Sequence, residues 1–208
     1  EEIPRGGTLV VAMANPIAAT EPGIYETVEE HEVLANAFET LVTTDAQGNL
    51  APLLCERWVL EDDARKVRLH LRPEVVFSDG SPVTAHAVKS ALERSIRLSH
   101  EAMPTAFAVI RGVAEYLDGK AEQVDGLSAR SAQELEIDLL EPVPIFPSLL
   151  TDGRAAVAAV ASPGDGQPPK LLGTGPFRIV QHTVDHAVLE RNPLCWKQPP
   201  ARLERIEF

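Results

Sequence analysis

The sequence predicts a mixed α/β fold of the α+β kind, and three observations carry that prediction. Val67-Arg68-Leu69-His70-Leu71-Arg72 and the stretch from Glu134 to Leu139 alternate apolar and charged residues, the period of a half-buried strand. Val33, Leu34, Ala37, Phe38 and Leu41, and again Val88, Ala91, Leu92 and Ile96, recur at helical spacing. Pro- and Gly-rich turns separate these segments, and the chain shows no internal repeat. Its 208 residues allow one generous domain or two small ones, and 44% hydrophobic with 24% charged residues excludes collagen-like, disulfide-scaffold and wholly disordered classes.

In chain order, Thr8 to Ala14 is apolar and β-branched after a Gly-Gly break and reads as a buried strand. Residues 15–28 carry Pro16, Pro22 and Gly23 and read as a loop. An amphipathic helix follows through Leu41, with Glu29, Glu30, Glu32 and Glu39 mostly on its wet side, and Asp45 to Asn49 is a turn. Asp62-Asp63 sits in a hairpin turn between Trp58 and Val67, and Asp79-Gly80 turns the chain toward a helix that Thr84 caps. A further helix is expected near 106–118. The strand at Glu134–Asp138 keeps its acids wet and ends before Pro142, Pro144 and Pro147. Residues 162–169 read as a linker by composition, Phe177 to Glu190 as two strands around Val184-Asp185, and Arg205 to Phe208 as the start of a strand.

Charge excludes some partners. The chain carries 19 Lys and Arg against 31 Asp and Glu, net −12, which argues against nucleic acid or an anionic membrane surface. Residues 1–50 hold most of that excess and read as a solvated acidic face, with recruitment of a cation as the alternative. No apolar run is long enough to span a bilayer, and the first residues lack the pattern of a signal peptide. Gly173-Thr174-Gly175 is followed by Pro and a strand-like run, so it is a turn and no phosphate loop; a GxSxG elbow is absent. His182 and His186 lie four apart, but in strand context they do not converge on a metal, and His31, His70 and His86 read as surface side chains. Trp58 and Trp196 read as core aromatics before ligand platforms. Cys55 and Cys195 form neither a CxxC pair nor a zinc spacing; export would permit a disulfide between them.

The ordered series of segments says more than any one of them. Leu53 to Trp58, Val67 to Pro73, Val76-Phe77-Ser78-Asp79-Gly80-Ser81-Pro82, the helix ending Leu92-Glu93-Arg94, Gly173-Thr174-Gly175-Pro176-Phe177, and Leu189-Glu190-Arg191-Asn192-Pro193 with Trp196 together resemble family 5 extracellular solute-binding proteins. These are the oligopeptide, dipeptide and nickel receptors of ABC importers. The resemblance runs through nearly the whole chain in family order. It departs at Ala87, where an acid would complete a capping box with Thr84, at Glu21, where the family commonly has Asp, and at Cys195, where an aromatic usually precedes Trp196.

The resemblance implies a periplasmic-binding-protein-like lobe I of a two-lobed class II receptor: a mixed sheet with flanking helices, formed by 1–45 with 170–208, and an inserted α+β subdomain at 46–169. Family members are far longer, and the second lobe is absent, so the chain reads as a piece of a longer receptor or as a lone lobe reused in a regulatory protein. The implied function is non-enzymatic capture of a small solute, foremost a peptide, for an ABC importer permease, in the periplasm or outside the cell, with room for a lipid anchor upstream of residue 1. No cofactor and no metal are implied. The alternative is a ligand-sensing or protein-interaction domain of a larger signalling protein, with catalysis kept only as a remainder. In the family, the loop between the first strand and first helix lines the cleft, which makes Tyr25, Glu26, Thr27 and Val28 the candidate ligand-facing residues and Phe107 a candidate for the opposite rim. Extended backbone at 26–28 is suited to pair with a peptide main chain.

Overall fold

A computed structural model describes residues 5–161 and 169–208, so most of the expected linker at 162–169 lies outside the described residues. The strands are β1 (Thr8–Val10), β2 (Val42–Thr44), β3 (Leu50–Pro52), β4 (Cys55–Glu61), β5 (Lys66–Leu71), β6 (Leu127–Ala129), β7 (Glu134–Asp138), β8 (Ala159–Ala161), β9 (Lys170–Leu172), β10 (Phe177–Thr183), β11 (His186–Arg191) and β12 (Arg205–Glu207). The α-helices are α1 (Val28–Ala35), α2 (Ala85–Leu98), α3 (Thr105–Ala108), α4 (Val113–Leu117) and α5 (Phe146–Leu149). Two sheets organise the molecule. One has the order β1-β12-β11-β10, with β1 parallel to β12 and the other pairs antiparallel. The other, β4-β5-β7-β6, is antiparallel throughout.

The alternating strand at 66–71 behaves as its pattern demands: Val67, Leu69 and Leu71 are buried and their neighbours are not. Thr84 caps α2 through its hydroxyl, which accepts from the Ala87 N–H at 3.2 Å, and Val88, Ala91, Leu92 and Ile96 form its inner face. These residues pack with Phe77, Phe107, Ile110 and Phe146 into the larger core, to which Leu41 and Val42 also belong. A smaller core joins Ile17, Val33, Phe177, Leu189, Ile206 and Phe208 beneath the first sheet.

Several expectations are corrected. The first strand is not buried: β1 is an edge strand whose only pairing among the described residues is to β12, and Val10 is 72% exposed. The first helix stops at Ala35, because the carbonyls of Asn36 and Ala37 accept from Phe177 and Gly175 N–H groups, and Ala37, Phe38 and Leu41 are buried from outside the helix. The expected helix at 106–118 is two short ones, since Gly112 between them adopts φ +82°, where a Cβ would stand 2.8 Å from that of Asp125. Glu136 was expected in water but is buried in the central strand β7. Arg68 lies directly opposite it in register, and Lys66, Arg68 and Arg130 all reach its carboxylate. Hydrogen bonding to Arg130 outweighs burial and holds that carboxyl below its ordinary pKa.

The acids of residues 1–50 do not form one solvated face either. Glu30 and Glu39 are buried, and Glu21 is held by both Nε and Nη2 of Arg94, at 2.7 and 2.9 Å. Cys55 and Cys195 are separate free thiols, both buried; burial pushes Cys55 up to about 12 and raises Cys195 as well. No helix among the described residues is long and apolar enough to cross a membrane.

Candidate functional site

The loop between β1 and α1 is built as a ledge braced from three sides. Pro22 opens a 3-10 turn over Pro22–Ile24, and beyond it Tyr25 and Thr27 are extended, with φ/ψ of −68°/144° and −111°/159°. Thr27 then caps α1. Its hydroxyl accepts from the Glu30 N–H at 3.2 Å and the Glu30 carboxylate accepts from the Thr27 N–H at 3.2 Å, a complete capping box.

Glu30 does more than cap. One oxygen accepts from Ala18 and Ala19 N–H at 3.0 and 2.8 Å, and the other accepts from Glu26 at 2.8 Å as well as from Thr27. Burial alone would raise its pKa, but the four backbone donors together hold it below the ordinary value. A single buried carboxylate thus ties the middle of the loop to its end at α1.

Tyr25 is gripped by a segment far along the chain. The Arg154 guanidinium lies 4.8 Å from the centre of its ring and donates to its carbonyl at 3.2 Å. The phenol hydroxyl donates to Asp152 at 3.5 Å, and the ring meets that of His31 at a centroid distance of 5.1 Å. Gly153 makes this possible, because a Cβ there would stand 2.7 Å from His31 Nδ1. Burial, then the Asp152 carboxylate, push the phenol above its ordinary pKa, so it stays a neutral donor. Ser95 of α2 donates to the Arg154 carbonyl and completes the brace.

What remains outside is specific. Glu26 is exposed, and Val28 is 78% exposed although it is apolar. Hydrogen-bond accounting sharpens this. The Glu26 and Thr27 N–H groups serve Glu30, the Tyr25 carbonyl serves Arg154 and the Thr27 carbonyl serves His31 N–H. Among the described residues, nothing engages the Glu26 carbonyl or the Val28 N–H. In extended backbone the C=O of one residue and the N–H two residues on point the same way, so these two groups form one acceptor-donor pair facing out.

Clefts lie on both sides of the ledge: one of about 280 Å³ bordered by Tyr25, His31, Thr43 and Thr151, and one of about 330 Å³ bordered by Tyr25, Glu26, Arg97 and His100. The structure therefore brings Tyr25, Glu26, Thr27 and Val28 together. It does not bring Phe107 to them. That ring has no exposed surface and is sealed in the larger core beneath α3, so it forms no rim. Glu30, Arg154 and Asp152 were missed by sequence reasoning. The Thr27-x-x-Glu30 spacing was a readable signal for the first; nothing local marks the others. No group of three or more metal-ligating side chains converges among the described residues.

Comparison with known proteins decides the family. Residues 49–208 match the Bacterial extracellular solute-binding proteins, family 5 Middle. The chain belongs to this family. It is 31% identical over 97% of its length to the periplasmic oligopeptide-binding protein OppA of Escherichia coli K12, while covering 39% of that protein. Among solved structures, the murein tripeptide binding protein MppA of Escherichia coli superposes with a TM-score of 0.81 at 24% identity, over 99% of this chain and 42% of that one. Haemophilus influenzae OppA, solved in complex with the peptide RPPGFSPFR, gives 0.80 at 24% identity, over 100% and 42%. The chain thus spans about two fifths of the length of the relatives it matches. The fold is that of one lobe of a two-lobed periplasmic binding protein.

Proposed function

We propose that this chain forms one wall of a peptide-binding cleft in an extracytoplasmic solute receptor, which delivers its ligand to the permease of an ABC importer. The ledge at 24–28, carried by the base formed from 1–45 with 170–208 and braced by the unit at 46–169, is the ligand-facing part. The observation that carries this reading is the unengaged pair of Glu26 C=O and Val28 N–H on a backbone held extended by Glu30 and Arg154. An extended peptide can pair with these groups main chain to main chain, leaving its side chains to the clefts on either side. Recognition of this kind reads backbone and tolerates many sequences. The names of OppA and MppA, a protein for oligopeptides and one for a murein tripeptide, fit such a ligand. A second wall buries the ligand further in a closed receptor, so one wall alone binds weakly.

Val28→Pro tests the pair directly. Position 28 opens α1, where proline is tolerated, and Thr27 already has the extended backbone that precedes a proline, so the variant folds and lacks only the N–H. In NMR titrations of the 208-residue chain with trialanine and pentaalanine, wild type and Val28→Ala show shifts at 24–28, and Val28→Pro binds about fivefold more weakly, the worth of about 1 kcal/mol in one hydrogen bond. Equal affinities for Val28→Pro and Val28→Ala would remove the backbone pair from the site.

A further inference from the structure

A third groove, larger than the two clefts beside the ledge, lies away from it. It measures about 550 Å³ and runs along β10, whose only strand partner among the described residues is β11, toward the antiparallel pair of β8 and β9. Its floor is apolar, with Phe38, Leu171 and Ile179. Lys170, Arg178 and His182 line it as well. In a protein of net charge −12, no carboxylate lines this groove among the described residues.

The acids near it leave its basic character standing: Glu30, whose charge His182 feels, spends both carboxylate oxygens on four backbone N–H groups. Glu190 accepts from Arg178 at 3.2 Å across the strand pair, and both side chains of that pair are about two-fifths exposed, so the guanidinium is only partly neutralised. Asp79 feels the charge of Lys170 but turns its own oxygen to Ser81. Lys170 is exposed and makes no ion pair among the described residues. Nε of Arg178 and Nε2 of His182 are buried without a hydrogen-bond partner among those residues, so the wall holds polar capacity that the protein does not use. Burial lowers the His182 pKa, which leaves Lys170 and Arg178 as the cations at neutral pH.

We infer that this groove is a second ligand site, distinct from the peptide ledge, for an amphipathic carboxylate whose apolar body lies on Phe38, Leu171 and Ile179 and whose anionic head meets Lys170 and Arg178. Its size falls in the range of small-molecule sites, about 300–1,000 Å³. An apolar floor with cations at its rim selects one end of such a molecule for each surface, whereas a purely apolar or purely ionic solute satisfies only half of the groove.

The test uses sodium decanoate as the probe and decanamide as its neutral counterpart, followed by NMR titration of the 208-residue chain. The expected result is saturable binding of decanoate with shifts centred on 170–172 and 178–182. Decanamide binds about fivefold more weakly, and Lys170→Glu and Arg178→Gln each weaken decanoate about threefold, in keeping with partly exposed charge pairs. Lys170 is a surface side chain, so its variant keeps the fold even where Arg178→Gln disturbs the pair with Glu190. Val28→Pro leaves decanoate binding unchanged, which separates this site from the ledge. Equal binding of decanoate and decanamide, no effect of Lys170→Glu, or a shift map centred on 24–28 would each overturn the assignment.

Discussion

The two four-stranded sheets are covered very differently. The sheet β4-β5-β7-β6 has α2 across one face and a core in which Phe77, Phe107 and Phe146 are fully buried, while its other face is crossed by the ion pairs around Glu136. The sheet β1-β12-β11-β10 rests on α1 and a small core, and its edge strand β1 leaves Leu9 and Val10 in water. The ledge belongs by sequence to the thinly packed sheet, but its braces, Ser95, Asp152 and Arg154, come from the well-packed unit. A binding loop can thus be rigid without a rigid sheet of its own, provided that its contacts reach the stable part of the molecule.

Paired core truncations give the largest effect. Phe107→Ala lowers the unfolding free energy by about 3–5 kcal/mol, and Ile206→Ala in the smaller core lowers it by about 2 kcal/mol, because a thin core collapses around a deletion more easily. Urea denaturation measures both. An Ile206→Ala loss as large as that of Phe107→Ala would show the two cores to be equally tight and dissolve the contrast.

Glu30→Gln comes next, at about 2 kcal/mol, since a neutral amide replaces an acceptor of four backbone donors. The pH dependence has a definite sign. The folded-state pKa of Glu30 lies below its ordinary value of 4.5, so its contribution is present above that value and disappears as pH falls through the folded pKa. Wild type therefore loses an increment of stability on acidification that Glu30→Gln does not lose, and thermal melts across that acid range read the difference. Parallel melting curves for the two proteins would contradict the role given to Glu30.

The smallest change is a gain. Asp62, Asp63 and Ala64 all have positive φ in the hairpin between β4 and β5, and alanine at φ 61° has no side-chain hydrogen bond to offset the strain. Ala64→Gly raises stability by about 0.5–1 kcal/mol, seen as a higher urea midpoint. A lower midpoint would place the hairpin's strain elsewhere.

Much of the fold was legible because its signals are local. Alternation located β5 and β7, Thr84 located the start of α2, and Asp45 to Asn49 located the turn between β2 and β3. The failures share a cause in distant contacts. The end of α1 is set by the chain at 175–177, and the burial of Glu136 is set by a strand partner more than sixty residues earlier. Gly112 was a visible break that outweighed helical spacing. Family likeness singled out 25–28 as one stretch, yet it did not reveal which backbone groups there are engaged, nor that Thr27 serves α1. Phe107 misled because an aromatic near a predicted cleft has the same letter whether it faces in or out.

Trp196 sits where the two regions meet. Its indole N–H donates to Glu39 at 2.9 Å, while the Arg72 guanidinium and the Lys197 ammonium lie 5.1 and 5.8 Å from its ring. Arg72 follows β5, and Trp196 follows β11. An indole between two cations and a carboxylate has an emission colour tuned by their field, so this residue is a built-in optical gauge of the seam. With Trp58→Phe removing the competing fluorophore, slippage of one body against the other would be read as a shift in wavelength, without attaching any dye.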